Sequence, residues 1–526
     1  MVRAWRALER FAEGRYAAPA VVLGALLVYA FASIAWPLAG GRDLGTYLRV
    51  YLQIFDPNAV YPQAMLARTP LAPLAIGGLL EIGGVVAEAL MGLLYALSVL
   101  AWCAVARRFG TAAAVATAVA LLLYPGYAML FHRLSTDVLF AAGFAFAAVL
   151  VARALEHPSA GRAAALGAAV AGLVLIRPAS QVLLVLVLVP LLAAGAWRLR
   201  LAQMAAFAAA AALPLAAWVV HNGVRFDDYT VARGGGVSVP FFRAFVVDRI
   251  VSPENGPASR ELAQAVETGL LPYEPYRSYG ITLEEYFESG SARMHEDLIN
   301  LSDRVWGWDD DYAHVSAAGW EAVRAHPGTF ASAVAEDVGI LLRTPMLLDV
   351  PEEGGDGGAG GEPETIVVDG RTLPKPTEGE PIPAARESGF ASTPDDLRVR
   401  EVWTSPTDHH LVFRDPADAR RAAELERGLG DSFDAFPSRQ GSAALAEALN
   451  TASRLYPRNV VLLLVGLVAV AVRRPRGWQI LAALVAPALL LCVATMTGVY
   501  PVAEYVVPLA PAFVLLAAAG LVGERR

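Results

Sequence analysis

The sequence predicts an all-α polytopic membrane protein of about ten transmembrane helices, with a large extracytoplasmic insert that is α or α+β. Three observations predict it. Only 17% of the 526 residues are charged and 56% are hydrophobic, whereas soluble domains carry about a quarter charged residues. The shortfall is concentrated in blocks such as Ala17–Gly41, Thr111–Leu130 and Leu201–Val220, each near the ~20 apolar residues that a helix needs to cross a ~30 Å hydrocarbon core. Basic residues, finally, cluster in alternate short loops. Backbone polar groups find no water in lipid, so only helices or closed barrels span it. These blocks are too long, and alternate too little, for barrel strands.

Spans are expected near 17–39, 85–106, 111–130, 136–154, 161–177, 179–196, 201–220, 458–472, 477–497 and 503–522. With the N-terminus inside, Arg107-Arg108, Arg153 to Arg162, Arg198 with Arg200, Arg473-Arg474 with Arg476, and Arg525-Arg526 all fall on the inner side, as the positive-inside rule requires. That layout predicts a multi-pass protein of the plasma (inner) membrane with both termini cytoplasmic. Arg3, Arg6, Arg10 and Arg15 precede the first apolar block. The block is too long for a signal peptide, and Pro37-Leu-Ala-Gly-Gly is a poor cleavage site, so it reads as a retained first span.

The expected organisation is an N-terminal membrane module at 1–220, with seven spans and a first outer loop at 41–84. An extracytoplasmic folded segment follows at 221–350, then a linker at 351–400. A second outer segment at 401–457 returns to the membrane, and a three-span module closes the chain at 458–526. Within the first outer loop, Leu44–Phe55 and Leu71–Ile82 are weakly amphipathic and suit the membrane surface. Pro351–Pro383 is dense in Gly, Pro and Glu and reads as flexible. Ala417–Leu429 and Ser442–Leu449 have helical periodicity.

The net charge of −8 is split by region: the central segment is acid-rich and the short loops between spans are basic. No basic stripe interleaved with aromatics is present, so nucleic acid is not an expected partner. Cys103 and Cys492 are the two cysteines, and both lie in apolar blocks. That excludes a disulfide framework outside the membrane.

The residues suited to chemistry are charged groups at the outer ends of spans, where burial near lipid is costly without a purpose. Asp43 lies in Gly41-Arg-Asp-Leu-Gly-Thr-Tyr47 after the first span, and Arg68 in Ala67-Arg-Thr-Pro-Leu-Ala-Pro73. His132, Arg133 and Asp137 cluster between the third and fourth spans. Arg177 sits between the fifth and sixth, against the positive-inside pattern, and His221 and Arg225 follow the seventh. All converge on one face of the bilayer. An aspartate among cations there suits a phosphate-bearing lipid substrate and a base-catalysed attack.

Set in order, these elements resemble the GT-C superfamily of membrane glycosyltransferases, in particular the dolichyl-phosphate-mannose protein mannosyltransferase-like and aminoarabinose-transferase-like enzymes. The resemblance rests on Asp43 followed four residues later by Tyr47 and on Arg68-Thr-Pro-x-x-Pro73. Thr136-Asp137 after Tyr124-Pro125, Arg177-Pro178, and Pro214-x-x-x-Trp218-x-x-x-Asn222 complete it. It covers about the first 235 residues and, more weakly, the last span. Three positions depart from the pattern: Asp137 replaces a usual Glu, His221 a usual Arg, and Glu504-Tyr505 a usual Arg-Tyr.

The resemblance implies an inverting glycosyltransferase. It would move a monosaccharide from a polyprenyl-phosphate-linked donor in the membrane lipid to an extracytoplasmic acceptor that is a glycan, lipid or protein. Asp43 would be the general base. Arg68 and Arg177, with His132 or Arg133, would hold the lipid phosphate, and Asp137 would orient the acceptor or a cation. Tyr47, His221 and Arg225 are further candidates for the site. No cofactor is called for, although a divalent cation is compatible with the carboxylates.

Blander readings accompany these. Asp43 also fits a helix end at the water boundary, Arg177 a snorkelling side chain, His132 and Arg133 a solvated turn, and Asp137 a helix cap. Trp306-Gly-Trp-Asp-Asp-Asp-Tyr312 reads as a solvated acidic turn, and Asp408-His-His410 as a surface loop. A transporter or flippase is the rival from another class, and a non-catalytic membrane scaffold a third reading. Transporters often show paired halves and mid-membrane charges, and this chain shows neither.

Overall fold

The computed structural model describes residues 9–59, 65–234, 239–273, 275–351 and 415–524, with short strands at Ile366–Val368, Arg371–Leu373, Glu387–Phe390, Val399–Trp403 and His409–Phe413. Apart from Pro351 and those strands, the expected linker at 351–400 falls outside the described residues, as does Asp408. The fold is that of an all-α polytopic membrane protein.

Among the described residues, seven helices are long and apolar enough to cross a membrane: Ala17–Ala35, Gly84–Phe109, Thr136–Glu156, Trp197–Phe226, Ala443–Arg473, Trp478–Met496 and Ala503–Val522. The other three expected spans are the shorter apolar helices Thr111–Leu122, Ala160–Ile176 and Pro178–Leu192. One of the ten has a local cause for its shape. Pro125 has no N–H to donate and biases Tyr124 to extended backbone, so the block at 111–130 divides into Thr111–Leu122 and Pro125–Leu130. The sixth begins as an unusually long 3-10 helix, Pro178–Leu188, where such runs seldom exceed three or four residues.

The helices differ in what surrounds them. Trp197–Phe226 is largely uncovered and stands at the rim of the bundle, whereas Ala503–Val522 is almost wholly enclosed. Gly466 and Gly520 let the latter approach Asn459–Arg473 closely: a Cβ on Gly520 would meet the Gly466 carbonyl at 3.1 Å. Small residues serve this purpose between membrane helices.

Basic clusters gather at one end of the bundle. Arg108 pairs with Glu156, Arg473 donates to the Gly523 carbonyl, and the Glu524 N–H donates to the Phe109 carbonyl. The opposite end carries the insert. There Leu44–Gln53 and Leu71–Ile82 are the helices of the first loop and pack on each other, with Pro416–Asp434 over the former. Helices Pro257–Gly269, Leu283–Ser289, Ala292–Val305 and Ala313–Ala325 enclose a core of their own that includes Phe245, Leu262, Tyr286 and Leu298. Arg243 ties this part to the bundle. Its guanidinium makes a two-pronged pair with Asp248 at 3.0 Å, and also donates to Asp337 at 2.8 Å and to the Met496 carbonyl at 2.7 Å.

Candidate active site

The site end is assembled by backbone first. Residues 39–40, just past the first span, pair in parallel with 133–134, the turn between the third and fourth. The Ala39 N–H donates to the His132 carbonyl and the Gly41 N–H to the Leu134 carbonyl. This short ladder sets Arg42 and Asp43 beside the start of Thr136–Glu156. Ser135 caps that helix by accepting from the Asp137 N–H at 3.2 Å.

Asp43 precedes helix Leu44–Gln53 in the left-handed region, with φ 60°. Asp tolerates that conformation better than most residues, yet its carboxylate makes no capping hydrogen bond. The side chain, 48% exposed, points instead to Arg68 at 3.5 Å. Arg68 in turn lies over the ring of Tyr47, 5.4 Å from its centroid. Asp137 is different. Its side chain is 5% exposed and accepts from Arg177 at 2.8 Å, with Arg42 4.0 Å away. Arg42 and Arg177 both lie over the ring of Tyr505, at 4.5 and 4.8 Å. Tyr505 arrives at the start of the enclosed last span. Burial pushes the Arg42 pKa down, but Tyr505, Asp137, Glu504 and Asp43 outweigh it and hold the guanidinium charged.

Asp43, Tyr47, Arg68, Asp137 and Arg177 therefore stand at one end of the bundle, in two linked groups bridged by Arg42. Arg133 lies at the rim, 4.0 Å from the exposed Asp349. The remaining candidates are placed elsewhere. His132 is fully buried, with its ring stacked on Tyr29 at 4.1 Å; it packs under the turn instead of facing outward, so the geometry does not offer it to a phosphate. His221 is exposed and stacks on Trp218 at 5.0 Å. Arg225 donates to the carbonyls of Ile54 and Gln53 at 2.5 and 3.1 Å. It thus caps the far end of Leu44–Gln53, about 15 Å from Asp43 by helix rise.

The acidic element 306–312 is not a solvated turn. Trp308 and Tyr312 are buried and close over Arg233, which lies 3.8 Å from the Trp308 ring centroid. Arg233 donates to Asp228 at 2.9 Å, to Asp303 at 2.7 Å and to the Trp308 carbonyl at 2.9 Å, and Asp311 is 3.6 Å away. Burial, then Asp228, push the Asp311 carboxyl up to about 6. Among the described residues, no three His, Cys, Asp or Glu side chains meet so as to hold a metal ion. The Arg233 N–H also donates to the Leu66 carbonyl, and Trp308 packs with Met65, Leu66 and Phe226. This sealed knot thereby fixes the strand of chain that presents Arg68.

Sequence reasoning missed Arg42 and Tyr505 as site residues. Arg42 had one available signal, a charged residue next to Asp43 at a span's outer end; Tyr505 had two, its place at the mouth of the last span and the match of Glu504-Tyr505 to an Arg-Tyr pair in the resemblance.

Residues 68–221 match the family model described as dolichyl-phosphate-mannose-protein mannosyltransferase. Among solved structures, ArnT from Cupriavidus metallidurans bound to undecaprenyl phosphate is similar at 15% identity, over 96% of this chain and 77% of that one, with a TM-score of 0.33, a loose likeness. No curated protein matches the chain. The match to the mannosyltransferase model lies, but for its last residue, within the expected N-terminal membrane module and covers under a third of the chain.

Proposed function

We propose that the protein is an inverting membrane glycosyltransferase that takes a monosaccharide from a polyprenyl-phosphate donor and transfers it to an acceptor hydroxyl outside the cytoplasm. The observation that carries this reading is the half-exposed Asp43 carboxylate. It is unused as a helix cap and held 3.5 Å from Arg68, next to the Arg42–Asp137–Arg177 group. A carboxylate meant only to end a helix would be spent on backbone N–H groups.

In the proposed reaction Asp43 accepts the acceptor's proton. The acceptor oxygen attacks the anomeric carbon opposite the phosphate, and the bond from that carbon to the phosphate oxygen breaks with inversion. The lipid phosphate leaves with the electron pair and one more negative charge than it had as a diester. Preorganised cations stabilise charge that develops in this way, and in this reading Arg68, Arg177 and Arg133 do so. Asp137 orients Arg177 and, with it, the acceptor. A lipid-held donor explains why the cluster sits at a bundle end and not in a soluble domain. The insert, at 221–350 and 401–457, selects the acceptor.

Mass spectrometry of envelope glycans and lipids from cells carrying Asp43→Asn tests the proposal: one glycosylated product is expected to disappear. An unchanged profile from a folded, membrane-inserted variant would overturn it. The orientation, with both termini cytoplasmic, is checked by cysteine labelling. Asn255→Cys is expected to react from outside intact cells, and Arg474→Cys is expected not to.

A further inference from the structure

We infer that Arg42, seated on Tyr505, is the guanidinium that takes hold of the donor's phosphate as the glycosidic bond breaks. The inference deepens the proposed function and rests on it.

Arg42 and Arg177 share two partners, the Tyr505 ring and the Asp137 carboxylate, and they share the second unequally. Arg177 holds Asp137 at 2.8 Å with its side chain 12% exposed, while Arg42 stands 4.0 Å from the same carboxylate and is 33% exposed. Arg177 already gives a donor to a short, buried ion pair, and a phosphate that drew it away would leave Asp137 as an unpaired buried charge, which is heavily penalised. A phosphate that bound through Arg42 would replace only a contact at the limit of ion pairing.

Charge balance points the same way. The group contains three guanidiniums, Arg42, Arg68 and Arg177, and three carboxylates, Asp43, Asp137 and Glu504. Two of the guanidiniums have a near carboxylate, at 2.8 and 3.5 Å. Arg42 is the one whose charge is least matched at contact distance, so it is the one that an incoming anion completes. The Arg42 guanidinium carbon lies 4.5 Å from the Tyr505 ring centroid, a cation–π seat, and the N–H fork of a guanidinium suits two phosphate oxygens. When the phosphate gains its second negative charge, that fork is already in place.

The test uses the full-length protein in detergent and two probes of equal chain length, a polyprenyl monophosphate and the corresponding polyprenol. Wild type is expected to bind the phosphate the more tightly. Arg42→Ala is expected to weaken phosphate binding by about tenfold to a hundredfold, the range for a hydrogen bond to a charged group, and to leave polyprenol binding unchanged. Arg42→Lys is expected to restore only part, since an ammonium is a point charge that does not lie flat on a ring. Should Arg42→Ala fail to fold, Arg42→Gln keeps the stem and loses the charge, and the same weakening is expected of it. A wild type that fails to distinguish phosphate from polyprenol would defeat the proposed function and this inference together. A wild type that distinguishes them, beside a folded Arg42→Ala or Arg42→Gln that does so equally well, would overturn the role of Arg42 alone.

Discussion

The chain builds two clusters from the same parts, arginine, aspartate and tyrosine, and finishes them differently. Around Arg233 every guanidinium edge has a partner, the rings of Trp308 and Tyr312 cover its plane, and Asp228 and Asp303 are buried with it. Around Arg42 the contacts are longer, at 4.0 Å to Asp137 and, next to it, 3.5 Å between Arg68 and Asp43, and Asp43 is half exposed. A buried charge network that is fully partnered rigidifies what surrounds it. One left open has donors and charge to spare for a ligand. The difference teaches that residue type does not separate a structural knot from a reactive site; completeness and burial do.

Breaking each cluster sharpens the contrast, and in stability the sealed one is expected to suffer most. Arg233→Ala strands Asp228 and Asp303 in a dry site, and loss of one member of such a group costs about 3–5 kcal/mol. Thermal unfolding followed through tryptophan fluorescence should show an early transition for the insert. Activity should fall too, because the loop that bears Arg68 loses its anchor at Leu66. An unshifted transition would mean that the knot is not sealed.

Arg177→Ala comes next. It removes the 2.8 Å hydrogen bond to Asp137, a charged bond of about 1.5–3 kcal/mol, and Arg42 remains near enough to soften the loss. The expected result is a smaller stability loss with a marked fall in transfer rate. Asp137→Asn in the same background should recover stability without recovering rate.

Arg225→Ala is expected to cost about 1 kcal/mol, the usual net worth of hydrogen bonds to backbone carbonyls, with donor binding unchanged. Weakened phosphate binding by this variant would return Arg225 to the site.

The smallest effect is a pH dependence. The Asp311 carboxyl is raised to about 6 in the fold, above the ordinary aspartate value near ~3.9. The folded state therefore binds more protons than the unfolded state between those values, so this group's contribution makes stability fall as pH rises through about 6 and recover as pH drops toward 4. Asp228, Asp303 and Asp310 surround it with Arg233. Asp311→Asn should flatten that slope and stabilise the insert at pH 7 by about 1 kcal/mol, after solvent screening of a partly exposed group. A slope of the opposite sign would show that Asp311 is held ionised.

What the sequence made legible follows from range. The apolar blocks and the amphipathic helices Leu44–Gln53 and Leu71–Ile82 are encoded by neighbours three and four residues apart, and they fold where the pattern places them. Asp43, Arg68, Asp137 and Arg177 were legible as charges at span ends, because a charge there has few other reasons to exist. The break at Pro125 was hidden by the uninterrupted apolar run around it. Tyr505 was visible through the resemblance, but its role was not, because its partners Arg42 and Arg177 lie far earlier in the chain and nothing local marks a ring that two guanidiniums share. The run Asp309-Asp-Asp311 looked solvated because its counter-ion, Arg233, and the rest of the knot come from distant stretches. His132 and Arg225 were misplaced for a related reason: a charge-capable residue at a span end can turn inward onto a ring or a helix terminus, and spacing does not say which.

The most direct test of the central claim is the Asp43→Asn variant of the full-length protein, assayed for transfer and for polyprenyl phosphate binding in one preparation. The substitution keeps size and removes the base. Turnover is expected to fall by about two to four orders of magnitude, the usual contribution of general base catalysis, while phosphate binding holds, because the guanidiniums remain. A folded Asp43→Asn protein that transfers sugar at near the wild-type rate would contradict the account.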